Sequence, residues 1–312
     1  MVIHEAWRAG GIRPVGPARV RMQTGSSSCT SLRTLLNALV DYAGLFPPAR
    51  LAMADAVAEY IAARSGPYAW MLGRFIVPLS RISELLEHSP QGQSFELSVI
   101  LDGGVADLAD ITQRIGSHEV KAVEIVLEPE RVARFASARE RSGIAQIPVY
   151  VEFERNAFRR AQVVDMMHCV KAARLGAKVR CGGLSADAFP SSQELAVFIE
   201  AACREGVPFK ATAGLHHPFP QTDAATGARM HGFMNLLTCT GLARAGAPRA
   251  RLIAALECAD VSAFALDDHG LAFEDQTIDV QAIATMRRHS FIGYGSCSFK
   301  EPVDDLRALG ML

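Results

Sequence analysis

The stretch Val207 to Phe219, V-P-F-K-A-T-A-G-L-H-H-P-F, reads as a short β-type run that carries a lysine among apolar neighbours and breaks at Gly214 into a loop with two histidines. Before it, a helix is expected over Ser191–Arg204, opened by the capping box Ser191-x-x-Glu194; after it, another near His231–Ala243. The same unit of strand, turn and amphipathic helix recurs outward in both directions. Toward the N-terminus the strands fall at Lys178–Cys181, Pro148–Phe153, Ala122–Leu127, Phe95–Leu101 and Phe75–Leu79. Toward the C-terminus they fall at Ala263–Leu266, a weak run interrupted by Asp267 to Gly270, and at Phe291–Gly295. Eight strands alternating with helices predict a parallel sheet with crossover helices, closed as an α/β (β/α)8 TIM-type barrel. No glycine fingerprint of a dinucleotide site or a P-loop accompanies the strands.

Ahead of the barrel, Leu32, Leu35, Leu36, Leu39 and Val40 recur at helical spacing, predicting a helix over Ser31–Tyr42 that stops at Y-A-G-L-F-P-P (Tyr42 to Pro48). A second helix is expected over Ala52–Ala63. Residues 31–312 thus read as one barrel domain with an N-terminal helical extension. Residues 1–30 hold four arginines, one acid and Gly25 to Ser28 without the apolar core of an export signal. They are expected to be a disordered leader or a start misassigned upstream of Met22, with a targeting peptide as the alternative.

A net charge of -1 leaves no electrostatic footprint for nucleic acid, and no long apolar run suggests a membrane span. A small-molecule substrate is therefore expected, with a homo-oligomer left open. The seven cysteines form no C-x-x-C pair and are odd in number, which argues against a disulfide framework and a structural zinc, and for a reducing, cytoplasmic compartment.

Alternation along the strands sorts the charges. Glu124 opposes Val123 and Ile125; Tyr150, Glu152 and Glu154 share a face; so do Lys178, Arg180 and Gly182, and Lys210, Thr212 and Gly214. Four consecutive strands thus offer carboxylate, carboxylate, guanidinium and ammonium to one side. Apolar residues belong on the helix-covered side, so the charges are expected inside; the alternative is a salt-bridged outer scaffold. Only five of the 32 basic residues are lysine, and a buried lysine, unlike arginine, can lose its proton. With Arg180 as its neighbour, Lys210 is expected to be the reactive amine, able to form a Schiff base with a carbonyl. Glu152 ranks first as proton carrier and His216 next, followed by Glu154, Asp102 and Tyr150.

The segment Lys210 to Leu215, K-A-T-A-G-L, resembles the lysine-bearing strand ends of class I aldolases such as deoxyribose-phosphate aldolase. The resemblance covers six residues and implies a Schiff-base role for Lys210 alone; His216 and His217 are not part of that pattern.

Glycine-rich strand ends add candidate anion sites at Gly103-Gly104, Gly182-Gly183 and Gly293-x-Gly295-Ser296, with Asp102 beside the first, suiting a phosphorylated or carboxylated substrate. Cys181 and Cys297 are expected to be inert rather than nucleophilic. The resulting expectation is a lyase-like enzyme without a cofactor, acting on a small anionic carbonyl compound. Two rivals remain. One is a metal-dependent lyase, isomerase or hydrolase, with a divalent ion held by His216, His217, Asp267, Asp268, His269 or the inward glutamates. The other is a non-catalytic ligand-binding barrel.

Overall fold

The structure is a computed structural model that describes residues 29–152, 154 and 162–312. The leader expected over residues 1–30 therefore lies outside the described residues except for its last two, as does Phe153, the end of the strand expected over Pro148–Phe153. Helix α1 (Thr30–Leu36) leads into β1 (Val40–Tyr42), α2 (Met53–Ser65), β2 (Leu72–Pro78), α3 (Ile82–His88), β3 (Glu96–Ile100) and α4 (Ile111–Arg114). Then follow β4 (Glu119–Val126), α5 (Pro129–Glu140), β5 (Val149–Glu152), α6 (Val163–Ala172), β6 (Gly176–Arg180), α7 (Ser192–Glu205) and β7 (Phe209–Thr212). The last third comprises the hairpin β8 (Gln221–Thr222) and β9 (Arg229–Met230), helices α8 (Phe233–Arg244) and α9 (Arg249–Glu257), and strands β10 (Phe264–Leu266), β11 (Gly270–Phe273) and β12 (Gln276–Asp279). Helix α10 (Val280–His289), β13 (Phe291–Ser296) and α11 (Lys300–Ala308) complete it.

Eight parallel strands close into a barrel in the order β1, β13, β7, β6, β5, β4, β3, β2. This is the expected (β/α)8 architecture, with one strand supplied by a different segment than expected. The helix expected over Ser31–Tyr42 ends at Leu36; Ala38 takes a left-handed φ of 46° and donates its N–H to the Trp70 carbonyl. Val40–Tyr42 then pairs with both β13 and β2. Leu39 and Val40 satisfy a helical period and a strand equally, and only tertiary pairing decides between them. Conversely, Ala263–Leu266 does not enter the barrel. Its β10 pairs antiparallel with β11 across the turn at Asp267 to Gly270, in a separate sheet of three strands. The Ser191 capping box forms as expected, with Glu194 N–H donating to Ser191 Oγ at 3.2 Å.

Apolar residues fill the layer between barrel and helices. Phe75 and Phe95 pack with Tyr60 of α2, and Phe209 stacks on Phe291 with ring centroids 5.1 Å apart. These positions have the parity opposite to the charged ones, so the barrel interior is left to polar side chains. Among the described residues no helix is long and apolar enough to cross a membrane.

Candidate active site

Lys210 of β7 settles which face points inward. Its Nζ lies 2.6 Å from Asp41 of β1, 2.5 Å from Glu124 of β4 and 3.1 Å from Ser98 of β3. A side chain on β7 reaches β3 and β4 only through the barrel interior. Glu124 is bonded on both oxygens: Lys210 and the Ser98 hydroxyl donate to Oε1, and Lys178 lies 2.6 Å from Oε2. Lys178 also meets Glu152 at 2.8 Å, and Arg180 Nε closes on the other oxygen of Glu152 at 3.0 Å. At the opposite end, Asp41 accepts from the Arg74 N–H and guanidinium. A Cβ on Gly73 would sit 2.3 Å from Asp41 Oδ1, so glycine there makes room for the carboxylate.

The result is a continuous chain, Arg74–Asp41–Lys210–Glu124–Lys178–Glu152–Arg180, in which four cations meet three carboxylates. Burying these charges is costly, and mutual pairing offsets that cost. Burial opposes ionisation of Glu124 and Glu152, but Lys178 with Lys210 in the first case, and with Arg180 in the second, outweighs it and holds both below the usual carboxylate range. Burial likewise opposes the charge on Lys178, yet Glu124 and Glu152 hold its pKa above that of an ordinary lysine. The Tyr150 ring lies 5.7 Å from Lys210 Nζ, and burial pushes its phenol up to about 12. A Cβ on Gly176 would fall 2.6 Å from that ring, so the glycine is what admits it.

Above this chain, at the C-terminal end of the strands, opens a cavity of about 490 Å³. Glu124, Glu152, Lys178 and Arg180 form its charged floor; Gly183, Thr212, His216, Gly295 and Cys297 also border it. Lys210 does not: it is 0% exposed and lies beneath. The register sets its neighbour, since Lys178 is opposite Lys210 while Arg180, two residues further along, is opposite Thr212. The cationic neighbour expected for Lys210 was Arg180; the structure puts Lys178 there.

The roof comes from three loops. Ala43, Phe46, Pro47 and Pro48 supply one part, so the Y-A-G-L-F-P-P segment covers the site. The β8–β9 hairpin supplies Asp223, Thr226 and Met230, and the segment after β6 supplies Leu184 and Phe189.

The other candidates divide. Nδ1 of His216 is 2.9 Å from Glu301, and Cys297 Sγ is 4.0 Å from the same nitrogen. Burial pushes the Cys297 thiol up, as it does that of Cys181, which reaches about 12. Gly183 and Gly295 border the cavity, whereas Gly182 packs against Gly214, where a Cβ would come within 2.8 Å of the Gly214 Cα. Gly293 lies inside β13 rather than beyond it, and a Cβ there would meet the Leu39 carbonyl at 2.8 Å; close strand packing is its role. Ser296 donates to the Ser298 carbonyl at 2.7 Å, and Asp102 accepts the Ser80 N–H at 3.1 Å, so both stabilise turns at the rim. Glu154 is exposed beyond β5.

The residues considered as metal ligands are bonded to different parts of the fold. His217 meets Asp305 of α11 at 2.6 Å, Asp268 accepts from the Thr30 N–H and hydroxyl, and Asp267 accepts the His269 N–H. Among the described residues no group of three histidine, cysteine or acidic side chains is arranged to hold a metal ion.

Sequence reasoning overlooked Asp41, Arg74 and Ser98, and placed Lys178 on the inner face without assigning it a role. Alternation in V-D-Y (Val40 to Tyr42), had it been read as a strand, would have found Asp41.

No protein-family model matches the chain, and no curated protein sequence matches it.

Proposed function

We propose that the protein is a lyase of aldolase type, acting through a lysine on a small anionic carbonyl compound, and that Lys178 is the amine that meets substrate. The observation that carries this reading is the layering of the two lysines: Lys178 borders the cavity between two carboxylates, while Lys210 lies below it and neutralises the shared Glu124. Glu152, 2.8 Å from Lys178, takes the ammonium proton. The freed amine adds to the carbonyl carbon, the oxygen leaves as water, and the iminium accepts the electron pair of an adjacent breaking bond. Arg180 couples binding to this transfer. As the substrate's anionic end shares the Arg180 guanidinium, one of the two cations that hold the Glu152 pKa down is partly neutralised, and the affinity of Glu152 for the proton rises.

The test is borohydride reduction with pyruvate and glycolaldehyde, followed by peptide mapping. A reduced adduct on Lys178 that vanishes in Lys178→Arg supports the reading. Turnover persisting in Lys178→Arg sinks it, and an adduct mapped to Lys210 would return the role to the deeper lysine.

A further inference from the structure

The cavity has a second end that the lysine chemistry does not use. Among the described residues only three large apolar side chains are exposed, and two of them, Val126 at 53% and Leu184 at 67%, border this one cavity. Single exposed apolar residues are ordinary, but a convergent pair at a cavity mouth marks a binding surface. Phe46, Phe189 and Met230 add to the apolar lining. On the charged side, Arg180 borders the cavity with a half-exposed side chain whose Nε meets Glu152, and its guanidinium carries further N–H donors in the same fork. Among the described residues, apart from His216, the only other basic side chain on the cavity is Lys178, which already has two carboxylates.

This pattern fits a monoanion better than a phosphate: one guanidinium fork matches the charge of a carboxylate, whereas the second charge of a phosphate would lack a cation of its own among these residues. Size narrows it further. At about 30 Å³ per water of liquid, a cavity of about 490 Å³ has room for on the order of fifteen waters. A pyruvate-sized acid would leave most of that space, and the whole apolar wall, unfilled.

We propose that the site takes a carboxylate on Arg180 whose apolar chain or ring runs outward along Val126 and Leu184, so that the substrate is a medium-chain or aryl oxo acid. The carbonyl in this assignment rests on the lysine reading; the two ends do not, and can be tested without it. Calorimetric titration of the full chain with octanoate and with acetate, neither of which has a carbonyl to condense, reads the ends alone. Each buried methylene contributes roughly fourfold in affinity, so octanoate, with about half of its additional methylenes buried on the wall, is expected to bind on the order of a hundredfold more tightly than acetate. Leu184→Asp, on an exposed side chain that the fold does not need, should remove at least tenfold of that advantage, and Arg180→Gln should weaken both acids. Octanoate binding no better than acetate, or an unchanged affinity in Leu184→Asp, overturns the apolar end; octyl phosphate binding more tightly than octanoate overturns the carboxylate. Octanoate binding as expected while phenylpyruvate gives no borohydride adduct would retain the substrate class and discard the lysine chemistry.

Discussion

Two acid-rich clusters stand out in this chain, and the fold treats them in opposite ways. Glu124, Glu152, Lys178 and Lys210 come from four strands and converge in the barrel with almost no exposure. Asp267, Asp268 and His269 are consecutive, and they make a turn: Asp267 caps the N–H groups of His269 and Gly270, and Asp268 anchors Thr30 at the start of α1. Adjacency in sequence gives a turn its hydrogen bonds, whereas a site is assembled by alternation on separate strands. Separated charges that share a parity therefore point to chemistry more strongly than neighbouring ones.

The comparison can be broken most forcefully at Glu124. Its removal leaves two buried ammonium groups without their shared partner, and Glu124→Ala is expected to cost about 3–5 kcal/mol in urea unfolding. Asp268→Ala should give the smallest midpoint shift of the set; a loss equal to that of Glu124→Ala would erase the distinction. Next in size is the pair of lysines. Lys178→Ala should abolish the borohydride adduct, while Lys210→Met should retain it at reduced yield and lose stability, because Asp41 and Glu124 then lack a buried cation. Equal adduct yields from the two variants would remove the layering argument.

Titration sharpens the contrast at a smaller scale. Glu124 and Glu152 have folded pKa values below their unfolded ones, so their stabilisation is complete above about pH 4.3 and is lost as pH falls through the folded values. Lys178 has the opposite sign: its contribution is complete below about pH 10.4 and is lost as pH rises through its raised folded value. Glu152→Gln removes one carboxylate that raises Lys178, so the pH midpoint of adduct formation should move down; an unmoved midpoint would mean that Glu152 does not set the proton on that amine. The least effect is expected from His269→Ala, which should leave adduct yield and octanoate affinity unchanged.

The barrel was legible from the strand–helix repeat, and the inward face from parity, because both are local periodicities. Depth was not. Lys178 and Lys210 share a parity and are register partners on β6 and β7, yet one borders the cavity and the other is 0% exposed, a difference that no single strand encodes. The first strand was hidden because Leu39 and Val40 extend the apolar period of α1, and with it went Asp41. The run at Ala263 had the composition of a strand but not its partner, since the residues that pair with it follow immediately in β11. The segment Tyr42 to Pro48 could be expected to cap one barrel end or meet a second subunit; that its Phe46 to Pro48 border the cavity follows from the way the loop after β1 folds over the strand ends.

The three-residue β1 joins the strands at either end of the barrel sequence, β2 and β13. During synthesis Asp41 emerges first, Lys210 well after it, and the β13 edge that holds β1 in place later still. Until that strand is made, β1 lacks its second neighbour, and the interior stays open to water. Barrel closure and assembly of the charged chain are thus one late event, and a nascent chain truncated before Phe291 is expected to leave Asp41 solvated.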